Sequence, residues 1–256
     1  MTTGFVKNRA PVEVMTVSSF ASRSHEVLHF FGTRHGPSYG EPNADLGRVR
    51  AAEPDYPFVV SVHQVHGTDA LILDGPVRVG EKFTGGWDGI ITDQPGILVT
   101  VRTADCVPVL LHDPQRETVA VIHAGWRGAV NGIVEKTMST MQQRFGCRLD
   151  GLRVAIGPSA GACCYEVDQQ VIDPLRGGYP EWSSVVKMTD HDKWRLDLKK
   201  LIRGQALGCG VDESNIQCLD LCSICRPDVF FSYRREGRVS GKMVSGIMLT
   251  GKSPSI

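Results

Sequence analysis

The stretch ILVTVRTADCVPVLLHDPQRETVAVIHAGWRGAVNGIVEKTMSTMQQRFG, residues Ile97–Gly146, carries the fold decision. Three β-type runs follow one another in it, Ile97–Arg102, Val107–Leu111 and Thr118–Ile122, before any helical period begins. Val130, Ile133, Val134, Thr137, Met138 and Met141 then recur at helical spacing, with Gly146 as a stop, which predicts a helix over Ala129–Arg144. Working outward, Phe58–His63, Ala70–Leu73 and Leu152–Ile156 also read as strands, and Leu196–Leu207 as a helix ending at Gly208. The segment Val229–Leu249 reads as a hairpin turning through Glu236 and Gly237. Strands and helices mix without strict βαβ alternation, so the expected class is α+β. Gly36–Pro57 and Asp74–Trp87 are rich in turn formers but force no boundary, and residues 1–256 are expected to form a single domain.

The chain has 256 residues, with 28 Lys and Arg against 28 Asp and Glu, 8 His and 8 Cys. Balanced charge argues against a nucleic-acid polymer as partner, because phosphate backbones demand a basic face. No apolar run reaches the ~20 residues of a membrane span, and Met1–Phe20 lacks the apolar core of a secretory signal. A cytoplasmic location follows as an expectation, with the cysteines reduced or metal-bound.

Three motifs suggest ligands and lack the surroundings that each needs. His25-Glu26-Val27-Leu28-His29-Phe30-Phe31-Gly32-Thr33-Arg34-His35 fits the metzincin zinc-protease pattern, with Glu26 as general base. The plainer reading makes His29–Arg34 a strand entering a glycine-containing loop, and the reducing cysteine usage speaks against a secreted protease. Gly246–Ser253 spells a P-loop, but only three residues follow, and the phosphate-holding helix cannot form. Cys222-x-x-Cys225 stands without a second pair of matching spacing, so it reads as two thiols at the base of the hairpin.

A different constellation is more promising. His63-Gln64-Val65-His66-Gly67, Thr103-Ala104-Asp105-Cys106-Val107-Pro108 and His123-Ala124-Gly125-Trp126-Arg127-Gly128 each stand at a strand end beside a small residue or a turn. A rigid sheet can aim side chains from such positions into one cleft. Two imidazoles and a thiolate suit Zn²⁺, with a fourth position left open. The plainer reading of each, as a packed His or Cys, rests on the weak specificity of such long separations.

These blocks, together with Phe31–Arg34, Asp88, Ile156–Pro158, Cys164–Val167, Leu196–Leu198 and Phe230–Arg235, resemble the YfiH-type laccase-domain family. That family was historically named for polyphenol oxidation and was later associated with purine nucleoside phosphorylase activity. The resemblance implies layered mixed sheets and helices, and Zn²⁺ on His66, Cys106 and His123. It implies phosphorolysis of inosine, adenosine or methylthioadenosine, with adenosine deamination as a further activity. Purine nucleosides and phosphate would then be the partners, Arg34, Arg127, Arg234 and Lys242 the candidate phosphate cations, and Asp88, Asp105 and Glu166 the candidate proton shuttles. Two departures stand out: His35-Gly36-Pro37 replaces the family's usual Gly-Gly pair, and Gly241-Lys242 its Gly-Arg, which keeps the charge but loses the bidentate fork.

Copper is an alternative occupant of the His₂Cys set, because Cu²⁺ outcompetes Zn²⁺ at such ligands. Multicopper oxidase chemistry is disfavoured, since the chain contains no His-x-His pair. The competing readings are therefore a metzincin-like protease through His25, Glu26 and His29, a copper-dependent polyphenol oxidase, and a non-catalytic zinc-binding protein.

Overall fold

The computed structural model describes residues 5–8, 12–20, 27–36, 49–50 and 58–250. Among these, two large sheets and one small one form a mixed α+β fold. In spatial order the first sheet runs Phe5–Asn8, Val12–Met15, Val27–Gly32, Met243–Leu249, Ile97–Thr103, Phe58–Ser61 and Val49–Arg50. The second runs Ile216–Cys218, Arg153–Ile156, Val107–Asp113, Thr118–Ala124, Gly89–Thr92 and Ala70–Leu73. A small third sheet joins Glu166–Val167, Lys193–Leu196 and Val186–Asp190.

The quoted stretch explains the layering. Side chains alternate across a strand, so each of its two central strands feeds two cores. Leu110, Val119 and Val121 face the first sheet and pack with Val60, Val99, Val101 and Ile247. Their neighbours Val109, Leu111, Ala120 and Ile122 face the helices, against Ile133, Met138, Met141, Leu201 and Ile202. Both strands are buried along their whole length, and their centres, Val107–Leu111 and Val119–Ile122, are continuous apolar runs instead of alternating ones. The order of layers is sheet, sheet, helices.

Several expectations need correction. The helix expected over Ala129–Arg144 is two helices, Trp126–Val130 and Ile133–Phe145. They part at Gly132, whose φ of 81° lies outside the helical range. The second expected helix begins at Leu198, where the Asp197 carboxylate accepts from the Lys200 N–H at 3.0 Å, while Leu196 closes a strand. Val229–Leu249 is not a hairpin. Only Met243–Leu249 is a strand, inserted between Val27–Gly32 and Ile97–Thr103. Tyr233–Glu236 is a short helix whose N-cap, Ser232, accepts from the Arg235 N–H at 3.2 Å.

His25 and Glu26 lie outside the described residues. His29 is on the strand Val27–Gly32, where its Nε2 accepts from the Val17 N–H at 3.0 Å, so it occupies no metzincin helix. Gly246 to Leu249 are mid-strand, in keeping with the rejection of a P-loop. Most of Gly36–Pro57 lies outside the described residues. No helix among the described residues is long and apolar enough to cross a membrane.

Candidate metal centre and cavity

Antiparallel pairing of Thr118–Ala124 with Val107–Asp113 places Ala124 opposite Val107. Cys106, one residue upstream of Val107, is thereby brought beside the end of the strand that carries His123. His66 arrives from the other sheet, on the loop after Phe58–Ser61. Gln64 ties that loop to the neighbouring strand, its amide donating to the Arg102 carbonyl (2.8 Å) and accepting from the Arg102 N–H (2.9 Å). The ligand atoms of His66, Cys106 and His123 all lie within 4.8 Å of one another. Cys106 Sγ is 3.9 Å from His66 Nε2, and the two imidazole rings meet edge to face at 4.8 Å between centroids.

The loop is held by one buried carboxylate. Asp88 accepts from the N–H groups of Val65 (3.2 Å), His66 (2.9 Å) and Gly67 (2.6 Å), and its Oδ1 pairs with His123 Nδ1 at 2.8 Å. Those contacts hold His66 at φ +60°, a backbone state costly for a residue with a Cβ. They also commit His123 Nδ1 to Asp88, which leaves Nε2 for the cluster. Burial pushes the Asp88 carboxyl up, but the His123 and Gly67 hydrogen bonds outweigh it and leave its pKa below the ordinary value.

Electrostatics prepare the same atoms. Burial raises the Cys106 thiol, yet His123 and His66 together bring its pKa down to about 6. Burial lowers His123, and the Cys106 thiolate with Asp88 lifts it to about 9. Both shifts favour a thiolate on Cys106 and a proton on His123, and a divalent cation would take the place of that proton. The donor set of two imidazoles and one thiolate fits Zn²⁺.

A cavity of about 370 Å³ opens over the cluster, within the usual span of small-molecule sites. His66, Cys106 and His123 line it with Gln64, Ala104 and Asp105. Four cations also reach it, Arg102, Arg127, Arg234 and Lys242, alongside Trp126, Tyr165 and Tyr233. Arg234 stacks over Tyr165 at 5.0 Å and Arg127 over Trp126 at 4.4 Å. Burial, with Arg102 nearby, lowers the Lys242 pKa from its ordinary value.

The expected site residues divide accordingly. Arg127, Arg234 and Lys242 reach the cavity. Arg34 does not: its guanidinium lies over Phe231 at 4.9 Å and donates to the Pro227 carbonyl. None of the three carboxylates offers a disengaged oxygen to the cavity. Asp88 is buried beneath the loop as described. Asp105 lines the cavity, but its Oδ1 accepts from Ser223 Oγ and its Oδ2 from the Arg234 N–H, each at 2.6 Å. Glu166 lies off the cavity and pairs with Arg195 at 3.7 Å. Gln64, Arg102, Trp126, Tyr165 and Tyr233 join the lining beyond the expected site residues; all but Arg102 lie within the motif blocks that carry the family resemblance.

The family described as multi-copper polyphenol oxidoreductase laccase matches residues 43–250. The chain is 39% identical over 194 residues to the purine nucleoside phosphorylase YlmD of Geobacillus stearothermophilus, across 73% of this chain and 71% of that one. It is 34% identical over 199 residues to the adenosine deaminase RL5 of an unknown prokaryotic organism, across 75% and 76%. The crystal structure of YlmD from Geobacillus stearothermophilus superposes with a TM-score of 0.79 at 28% identity, covering 98% of this chain and all of that one. With the matched residues spanning the cluster, the cavity and the whole six-stranded sheet, the chain belongs to the multi-copper polyphenol oxidoreductase laccase family, the YfiH-type laccase-domain proteins.

Proposed function

We propose that this chain is a zinc-dependent purine nucleoside phosphorylase, acting in the cytoplasm as a single domain over residues 1–256. One observation carries the reading: a His₂Cys cluster and four cations share a single aromatic-walled cavity of small-molecule size. Inosine, adenosine and methylthioadenosine are the nucleoside candidates. His66, Cys106 and His123 would hold the metal, and Cu²⁺ is its natural competitor at this donor set. When bound, Zn²⁺ supplies Lewis acidity at an open fourth position.

The chain's own residues do the rest. Arg127, Arg234, Lys242 and Arg102 offer charge-assisted hydrogen bonds to phosphate oxygens. In phosphorolysis a phosphate oxygen bonds to C1′ as the C1′–N9 bond breaks, and the electron pair leaves with the purine. The cations hold the attacking anion against the positive charge that develops on the sugar. Trp126, Tyr165 and Tyr233 supply faces for a flat base. Cys106 acts as a ligand rather than a nucleophile, because a metal-held thiolate attacks poorly.

Adenosine deamination is the second reading, favoured by the similarity to a protein named adenosine deaminase. It calls for a carboxylate shuttling protons at C6. Asp105, the one expected carboxylate that lines the cavity, is already engaged by Ser223 and Arg234, so the cation-rich wall favours phosphorolysis.

The deciding assay gives the zinc-loaded protein inosine with and without phosphate. Hypoxanthine released only with phosphate, and lost in His66→Ala and His123→Ala, is the expected result. Turnover without phosphate, or activity surviving both substitutions, overturns the reading.

A further inference from the structure

A second sulfur cluster lies apart from the cavity. Cys163 and Cys164 occupy the turn between the strands Arg153–Ile156 and Glu166–Val167, and Cys222 and Cys225 the loop after Ile216–Cys218. The expectation that Cys222-x-x-Cys225 stands alone therefore fails, because tertiary structure supplies the second pair. All four sulfurs lie within 4.8 Å of one another. Cys225 Sγ is 3.0 Å from that of Cys164 and 3.4 Å from that of Cys163. Four sulfurs about 2.3 Å from one zinc ion would stand roughly 3.8 Å apart, so the cluster needs only sub-ångström adjustment to become tetrahedral.

We infer that Cys163, Cys164, Cys222 and Cys225 form a second, structural zinc site. The backbone is arranged for it. The Gly161 N–H donates to Cys222 Sγ at 3.3 Å, as the outer-shell donors of thiolate sites do. A Cβ on Gly161 would stand 3.1 Å from Cys222 Cβ and 3.4 Å from two of the sulfurs, so the glycine clears the space. The two arms are already latched, by Ser223 N–H to the Ser159 carbonyl at 2.8 Å and by a bridge between Ser159 and Cys222. A tetrathiolate employs all four sulfurs, whereas a disulfide from Cys225 would take one close neighbour and leave the other against it. Four soft thiolates in tetrahedral array select zinc or iron over harder cations.

The site would brace the cavity from behind. One arm continues from Cys164 into Tyr165, which lines the cavity. The other carries Ser223, whose hydroxyl donates to Asp105, and the Ser223 and Ile224 carbonyls, which accept from Arg235 at 2.7 and 2.9 Å. Zinc would thus tie the Tyr165 wall to the segment that presents Arg234.

The test counts metal. Zinc per chain is measured by mass spectrometry on the wild type, on Cys106→Ser, and on the double variant Cys222→Ser with Cys225→Ser. Two ions are expected in the wild type, with one lost in the double variant. Equal zinc in the wild type and the double variant overturns the site. Cobalt loading guards against a double variant that fails to fold: Cys106→Ser must still show the intense near-ultraviolet charge-transfer band of a thiolate-rich tetrahedral site. Absence of that band in the folded protein overturns the proposal, as does a disulfide among these cysteines in the freshly isolated chain. A visible iron chromophore there would overturn zinc as the metal.

Discussion

The Asp88 carboxylate accepts from His123 Nδ1 at 2.8 Å while the same group takes the N–H of His66 at 2.9 Å. One buried side chain therefore sets the direction of one candidate ligand and the backbone of another. Expected from sequence as a candidate proton shuttle, it lies beneath the loop with both oxygens accepting hydrogen bonds.

Replacing Asp88 with Ala strips partners from three amides and from the buried His123 ring. Stability should fall by about 3–5 kcal/mol, as when one partner of a buried charged pair is deleted. Asp88→Asn keeps the volume, and it should lower metal affinity by about 10–100-fold, the usual cost of losing an outer-shell partner. Denaturant melts and metal titration check the two effects separately. Unaltered metal affinity in Asp88→Asn removes the positioning role.

Gly125 stands where a Cβ would come within 2.7 Å of His66 Cδ2 and 3.2 Å of Cys106 Sγ. Gly125→Ala should displace both side chains and reduce kcat/KM on the order of a hundredfold, the cost of an ångström-scale misplacement. Gly151→Ala, with nothing within 4 Å, is the matched control and should leave kcat/KM unchanged. Equal kinetics in the two variants would contradict the close-approach argument.

Lys242 lines the cavity and Arg34 does not, so their substitutions should separate. Lys242→Ala is expected to raise KM for phosphate by roughly 10–100-fold, the worth of one charge-assisted hydrogen bond. Arg34→Ala should leave KM for phosphate unchanged within error. Steady-state kinetics at varied phosphate read the difference, and a reversed order would put the anion elsewhere.

Thiol reactivity follows the local electrostatics. In the zinc-stripped chain Cys106, with its pKa near 6, should alkylate at neutral pH ahead of Cys147 and Cys218, which burial pushes up to about 12. The Cys106 rate should fall as pH drops through about 6, since protonation removes the nucleophilic thiolate. Adding zinc should protect Cys106. Peptide mapping after brief iodoacetamide treatment reads all three outcomes, and Cys147 reacting first would refute the assignment.

The strands were legible wherever packing on both faces wrote itself as unbroken apolar runs, as in Val107–Leu111 and Val119–Ile122. The supposed final hairpin was not. Ser232 capping and the Arg235 contacts to carbonyls at Ser223, Ile224 and Phe230 turn Tyr233–Glu236 into a helix, and those partners are distant in sequence or invisible to periodicity. Among the expected site residues, His66, Cys106 and His123 do converge, the first from a loop and the other two from strand ends. Asp88, Asp105 and Glu166 look alike as letters, and only their hydrogen bonds separate a loop anchor, a braced wall residue and a surface ion pair.

The sequence by itself determined the class of fold, the strand ends at which Cys106 and His123 stand, and the chemistry that two histidines and a cysteine permit. Tertiary structure alone decided which carboxylate orients a ligand, which arginine misses the cavity, and that Cys163 and Cys164 meet Cys222 and Cys225. Local propensity acts over a few residues and leaves a readable period. A cluster of donors is assembled by strand register and loop closure between segments far apart in the chain, and no spacing in the sequence records those distances.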